Sequence, residues 1–385
     1  MKSFATVLIA PATLALVALA ACALPGADSV KSTESPDAGE GLMTLDGSQP
    51  LVVAHRGASG YLPEETMEAY ARAIELGADV LEMDLVVTQD GVLVARHDPD
   101  LALSTDVASH PEFASRKKTM KVDGKTQTGW FVQDFTLAEV KTLGGISTDA
   151  ERPQQFNGKF KVVTFQEILD FQKLKTRETG RAIAIYPETK NPTWFRQLGL
   201  PMEDKVVAMI NAAGLNSKTA PIYVQSFEPG SLKYMKSKGL NTKLVQLIDG
   251  DGINMKTGAM VTPAGLAEIK TYADGIGPWK RYIISIKGTI GPDGKAVDVN
   301  KDGKVNEADA TSITPTTLIA DAHKAGLLVH PFTFRNESRR LPIDYHGDPK
   351  NEYLAYYRLG VDGVFTDFTD TAIAARTIYL KEIGR

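Results

Sequence analysis

The chain has 385 residues, 43% of them hydrophobic, with 33 Gly and 20 Pro; this fits one large or two medium globular domains and excludes a collagen-like or mainly disordered chain. Lys and Arg total 43 against 47 Asp and Glu, and the net charge of −4 offers no general attraction for nucleic-acid phosphates. A single cysteine, Cys22, excludes an intrachain disulfide and a thiolate zinc site, so metal chemistry must use oxygen or imidazole ligands.

Lys2 is followed by an apolar run, Phe4 to Ala21, interrupted by Pro11, which reads as an export signal rather than a spanning helix. The run ends in Leu19-Ala20-Ala21-Cys22, which resembles the bacterial lipoprotein cleavage box. Residues 1–21 are therefore expected to be removed and Cys22 lipidated; a plain secretory signal with an incidental cysteine is the alternative. Residues 22–49, rich in Gly, Ser, Asp, Glu and Pro, read as a flexible tether. The folded body, 50–385, is expected to be soluble and lipid-anchored to the envelope, facing periplasm or exterior, with the lipid as its only membrane contact.

From Leu51 onward, β-rich runs alternate with amphipathic stretches. Strands are predicted at Leu51–Ala54, Val80–Val87, Val92–Arg96, Ala182–Tyr186, Ile222–Phe227, Leu244–Ile248, Leu327–Val329 and Val361–Phe365, and a weaker one at Gly275–Trp279. Helices are predicted at Glu64–Leu76, Phe165–Lys175, Asp204–Ala213, Gly265–Tyr272, Pro315–Lys324 and Thr369–Ile383. This order implies an α/β chain forming a (β/α)8 TIM-type barrel, with a doubly wound open sheet as the alternative. An insertion at about 104–160, polar and without strand–helix alternation, is expected to form a lid or subdomain near the barrel mouth.

Polar residues recur where the strands end: His55-Arg56-Gly57, Arg96-His97-Asp98, Glu188-Thr189-Lys190, Gln225-Ser226-Phe227 and His330-Pro331-Phe332, with Glu82 and Asp84 inside the second strand. Glu82 and Asp84, two apart on a strand, face one side, where close carboxylates call for a cation. With Glu188 as a third acid, an all-oxygen set favours Ca²⁺ or Mg²⁺; salt bridges to Arg56 or Lys190 are the alternative. If Asp90-Gly91 closes a two-residue hairpin, Asp84 lies opposite His97, bringing an imidazole beside the acids. His55 arrives from the first strand. Two histidines, a carboxylate-held cation and the cations Arg56 and Lys190 describe a pocket for an anionic substrate such as a phosphodiester.

The runs His55-Arg56-Gly57-Ala58-Ser59-Gly60-Tyr61-Leu62-Pro63-Glu64, Leu81-Glu82-Met83-Asp84-Leu85, His97-Asp98, Tyr186-Pro187-Glu188-Thr189-Lys190 and Val224-Gln225-Ser226-Phe227 resemble the bacterial glycerophosphodiester phosphodiesterases, particularly the periplasmic type. The likeness continues through Tyr272 to Pro278, Val329-His330-Pro331-Phe332-Thr333 and Phe365-Thr366-Asp367-Phe368. It implies a Ca²⁺-dependent barrel enzyme that hydrolyses small glycerophosphodiesters to glycerol 3-phosphate and an alcohol. It further implies Glu82, Asp84 and Glu188 as metal ligands, His55 and His97 as acid and base, and Arg56 and Lys190 on phosphate. Two departures stand out. Glu65 replaces the usual Asn or His, with an expected effect on charge near the mouth, and Thr189 replaces an aliphatic residue.

Residues Asp298 to Asp309 follow an EF-hand loop, with Asp298, Asn300 and Asp302 at positions one, three and five, Lys304 at seven and Asp309 at twelve. They resemble the dockerin variant and are expected to hold a second Ca²⁺ that stabilises an insertion; a bare turn is the alternative. Gln225, Phe227, Trp279 and Phe332 complete the expected substrate contacts, although the aromatics suit barrel packing equally. No nucleic-acid or protein partner is expected. Rival functions are hydrolysis of a glycerophosphate cell-wall polymer and a surface-exposed binding lipoprotein.

Overall fold

The computed structural model describes residues 42–250 and 257–385. The expected signal, most of the tether and Cys22 lie outside the described residues. The strands are β1 (Leu51–Ala54), β2 (Val80–Val87), β3 (Leu93–Ala95), β4 (Lys118–Val122), β5 (Lys125–Gly129), β6 (Ala184–Thr189), β7 (Tyr223–Ser226), β8 (Lys243–Ile248), β9 (Gly275–Pro278), β10 (Ile286–Gly288), β11 (Ala310–Ser312), β12 (Leu328–Val329) and β13 (Gly363–Thr366).

Eight of these form one parallel sheet in the order β12-β9-β8-β7-β6-β2-β1-β13. Its ends meet through the Asp362 N–H donating to Val329 O at 2.9 Å, Phe365 N–H to Pro331 O at 3.0 Å and Phe334 N–H to Phe365 O at 2.8 Å. The closed sheet, with helices between successive strands, is the expected (β/α)8 barrel. Strand alternation divides the core: Val52, Ala54, Leu81 and Ile185 face the helices, while Val53, Val80, Tyr186, Tyr223, Val245 and Phe365 fill the interior. Those interior side chains plug the lower barrel, and the polar residues lie above them.

Three differences from the sequence expectation have local causes. A helix at Pro349–Arg358 was not predicted; Pro349 opens it, the Asp348 side chain caps Lys350 N–H, and Tyr353, Tyr356 and Tyr357 are buried from it. Its run of tyrosines blurs the apolar period. The 104–160 insertion contains the antiparallel pair β4–β5 and buries Phe131, Val132, Phe135, Val140 and Leu143 in the main core. Part of residues 42–49, read as the tether's end, is packed down: Leu42 joins the core, Thr44 is buried, and Leu45 N–H donates to Asp362 Oδ1 at 2.6 Å, while 46–49 are exposed.

Candidate active site

Parallel register assembles the acidic group. Asp84 on β2 sits opposite Glu188 on β6, and Glu188 sits opposite Gln225 on β7. Glu82, Asp84 and Glu188 are all buried, and each offers a carboxylate oxygen within 4.8 Å of the others. The salt bridges weighed above also form: Arg56 Nε lies 3.0 Å from Asp84 Oδ2, and Lys190 Nζ lies 3.1 Å from Glu188 and 3.9 Å from Asp84. They do not balance the acids. Burial works to raise the Asp84 carboxyl, and the Lys190 and Arg56 charges outweigh it, holding it well below its usual range. Burial pushes Glu188 up to about 8, and burial with repulsion from Asp84 raises Glu82. Such a division fits acids that would ionise together around a divalent cation. Gln225 donates through Nε2 to Glu82 Oε1 at 3.0 Å, while its own Oε1 is buried without a donor. An orphaned acceptor beside three carboxylates suits a hard cation, so the donor set fits the expected group.

The first strand delivers His55. Its Nδ1 lies 2.6 Å from Asp367 Oδ1, just beyond β13, and Asp367 Oδ2 accepts from Arg152 Nη2 at 2.6 Å and Arg335 Nε at 2.9 Å. Burial first, then the Arg56 charge, pushes the imidazole down to about 4 against the pull of Asp367. His55 is therefore neutral and oriented, with Nε2 as the nitrogen left for the cavity. His97 is about a third exposed, its Nδ1 2.8 Å from Asp98 Oδ2. Sequence reasoning assigned no role to Asp367, Arg152 or Arg335. Asp367 carried the signal of a polar residue ending a strand; Arg152, within the insertion, carried none.

The hairpin register differs from expectation. Leu85 pairs with Ala95 and Val87 with Leu93, so Arg96, not His97, sits opposite Asp84, its N–H donating to Asp84 O at 2.9 Å. The cause is a three-residue loop, Gln89-Asp90-Gly91, in which Gly91 has φ +79° and Thr88 N–H donates to Val92 O. Arg96 is structural: wholly buried, it donates to the carbonyls of Glu64, Glu65 and Ser104. His97 nonetheless reaches the cavity, because the chain leaves the strand after Ala95.

Glu65 does not charge the mouth. It is fully buried at φ +60°, Oε1 accepts the Asp84 N–H at 2.8 Å, and Oε2 accepts from the Tyr70 hydroxyl. It supports a metal-ligand candidate from behind. Thr189 pairs its hydroxyl with Ser231 at 3.2 Å on the outer side of β6. The turn after β1 depends on Gly57: φ is +84°, and a Cβ there would stand 2.7 Å from the Ala69 carbonyl carbon. This lets Arg56 N–H donate to Glu82 Oε2 at 2.8 Å.

A cavity of about 1120 Å³ contains His55, Arg56, Glu82, His97, Glu188 and Lys190 at its floor. Gln225, Phe227, Trp279 and Phe332 also line it, Phe227 and Phe332 meeting edge to face at 5.9 Å. From the insertion, Val122, Asp123, Lys125 and Gln127 line the same cavity. His330 is not part of it; the ring lies deeper in the barrel against the Tyr186 hydroxyl at 3.1 Å.

The residues expected to hold a second Ca²⁺ form a turn tied by backbone-to-side-chain hydrogen bonds. Asp298 accepts from the N–H groups of Asp302 and Gly303, Asn300 from Asp302, and Asp302 from Lys304. Asp309 is buried and accepts from the N–H groups of Val299, Asn300 and Asn306, capping a short 3₁₀ turn. Among the described residues, Glu82, Asp84 and Glu188 are the one acidic group gathered to ligand distance.

Comparison with known proteins agrees with this geometry. The model of the "Glycerophosphoryl diester phosphodiesterase family" matches residues 55–371. The chain is 39% identical over 342 residues to glycerophosphodiester phosphodiesterase GDPD6 of Arabidopsis thaliana, covering 84% of this chain and 85% of that protein. It is 33% identical over 392 residues to the glycerophosphodiester phosphodiesterase of Haemophilus influenzae, covering 94% and 97%. Among solved structures, a glycerophosphodiester phosphodiesterase from Agrobacterium tumefaciens has TM-score 0.53 at 18% identity, covering 84% of this chain and 99% of that one. An Oleispira antarctica phosphodiesterase, in complex with the product sn-glycerol-3-phosphate, has TM-score 0.52 at 18% identity, covering 86% and 98%. These two likenesses bear on the fold. The family match and the closer sequence relatives together make this chain a member of the glycerophosphoryl diester phosphodiesterase family.

Proposed function

We propose that the chain hydrolyses glycerophosphodiesters to glycerol 3-phosphate and an alcohol, with Ca²⁺, or Mg²⁺ in its place, held by Glu82, Asp84 and Glu188. The observation that carries this reading is a group of three buried carboxylates, two of which, Glu82 and Glu188, line one cavity with two histidines and two cations. A divalent cation there would neutralise charge on the phosphodiester as it grows toward the transition state. Arg56 and Lys190 bind and orient the phosphate oxygens. His55, neutral and fixed by Asp367, takes the proton from the attacking hydroxyl through Nε2. His97, at the open side, returns a proton to the departing alcohol oxygen as its bond to phosphorus breaks. The attacking hydroxyl is either water or the substrate's own glycerol, the latter giving a cyclic phosphate that water opens. Phe227 and Phe332 give the carbon chain an apolar wall.

Release of glycerol 3-phosphate from glycerophosphocholine and glycerophosphoglycerol tests the proposal. Turnover is expected to vanish on rigorous chelation and return with Ca²⁺; undiminished activity without divalent ions would defeat the metal assignment. His55→Ala and His97→Ala are each expected to lose about 10²–10⁴-fold in kcat with the fold intact. Export and lipid attachment at Cys22 belong to the same proposal, supported by the Leu19-Ala20-Ala21-Cys22 box. Labelled palmitate should be incorporated by wild type and not by Cys22→Ser.

A further inference from the structure

At about 1120 Å³ the cavity exceeds the roughly 300–1,000 Å³ usual for small-molecule sites, so there is room for an alcohol half larger than choline. One wall is built from the segment after β12 and from residues following β9. The cations on and behind it are nearly all neutralised. Lys280 and Arg281 lie 2.8 and 3.1 Å from Glu352, and Arg281 lies 2.6 Å from Glu307. Arg152 and Arg335 share Asp367 at 2.6 and 2.9 Å, and Arg152 also holds Glu337 at 2.7 Å.

Arg340 is the exception on this wall. Among the described residues no carboxylate lies within 4.0 Å of it, and its Nε is shut from solvent without a hydrogen-bond partner. It lines the cavity together with Arg335, which spends Nε on Asp367. The like charges Arg335 and Arg339 repel it, and the weaker attractions come from Glu307 and Asp149, carboxylates already engaged by Arg281 and Arg339. Leaving a partly buried guanidinium unpaired beside another cation costs free energy that an incoming anion would recover. A planar fork of donors matches phosphate oxygens in particular. The same pair repels a quaternary ammonium group.

We infer that Arg340, with Arg335, forms an anion subsite for the alcohol half of the substrate, selecting glycerophosphodiesters whose alcohol carries a second phosphate. This rests on the proposed cleavage of the first phosphodiester at the floor of the cavity. A small phosphorylated diester and the end of a glycerophosphate polymer offer the same chemistry.

The test compares kcat/KM for glycerophosphocholine, glycerophosphoglycerol, glycerophosphoglycerol bearing a terminal phosphate, and a glycerophosphate polymer. Wild type is expected to favour a phosphate-bearing substrate over glycerophosphoglycerol by at least about tenfold, and Arg340→Gln to remove that preference with glycerophosphoglycerol, whose alcohol half is uncharged, changed less than about twofold. Whether the short diester or the polymer carries the preference identifies the source. No preference with either, or equal losses on all substrates in Arg340→Gln, overturns the subsite. In a His55→Ala background, equilibrium binding of the phosphorylated diester is measured with and without Arg340→Gln. Weakening by about tenfold supports the subsite, and equal affinity overturns it. If wild type hydrolyses none of the diesters, the proposed activity falls, and the binding comparison still decides the subsite.

Discussion

One carboxylate, Asp367, joins His55 to two arginines from distant parts of the chain, and its geometry makes a sharp demand. Oδ1 faces the imidazole and Oδ2 faces Arg152 and Arg335, so the arginines keep the carboxylate turned with one oxygen on Nδ1. Asp367→Asn keeps the shape but offers an amide where an acceptor is needed, on one side or the other. By analogy with carboxylates that orient a catalytic imidazole, kcat should fall by about 10²–10⁴-fold with little change in KM. An unchanged kcat, or a loss confined to KM, would remove Asp367 from the machinery. Glu65 makes a second residue-scale case. Glu65→Gln preserves a carbonyl for the Asp84 N–H and should fold near wild type, whereas Glu65→Ala leaves that buried donor unpaired at a cost of about 1–3 kcal/mol, read as a lower denaturation midpoint. Equal midpoints for the two variants would show that the hydrogen bond is dispensable. The carboxylate pair Glu82 and Asp84 was legible in the sequence because strand alternation fixes it. Asp367 and Arg152 were not given roles, because their meeting depends on the barrel closing and on the insertion folding back.

At the scale of elements, turn chemistry decided what spacing alone could not. Asp90-Gly91 announces a hairpin, but whether the loop has two residues or three sets the facing partner, and one residue of slip exchanges His97 for Arg96 opposite Asp84. Gly91 at φ +79° belongs to the three-residue form, and the strain of any side chain there is aggravated by Lys205, whose Nζ would lie 2.8 Å from a Cβ. That amine is the far end of a flexible side chain and can move, so the conformational term governs. Gly91→Ala is expected to cost about 1 kcal/mol in chemical denaturation, with catalytic constants retained. A neutral or stabilising result would mean that the turn adopts another form. The barrel strands themselves were readable as apolar runs bounded by polar ends. The Pro349–Arg358 helix and the β4–β5 pair were not, since buried tyrosines in the first and alternating Lys, Thr and Gln in the second obscure the periods on which such reading depends.

Across the whole molecule, burial of ionisable groups inside the barrel ties stability to acidity. His330 lies within the barrel below the cavity, with the Tyr186 hydroxyl 3.1 Å from Nδ1 and Nε2 buried without a partner. Burial pushes this imidazole from its ordinary 6.5 down to about 4. Between those values the unfolded chain binds a proton that the folded chain refuses, so folding free energy is greatest above about pH 6.5 and declines as pH falls toward 4. The loss from this one group amounts to about 3 kcal/mol at pH 4, and little more accrues below it. Glu188, raised to about 8, acts in the opposite sense over part of the same window, so wild-type stability alone does not isolate the histidine. The difference between wild type and His330→Gln does. Glutamine has no proton to gain, and the stability gap favouring wild type at pH 7 should shrink by about 3 kcal/mol by pH 4 in urea titrations at successive pH values. A gap that stays constant across that range would mean that the ring takes up its proton in the folded barrel, where its surroundings offer no second hydrogen-bond partner for it.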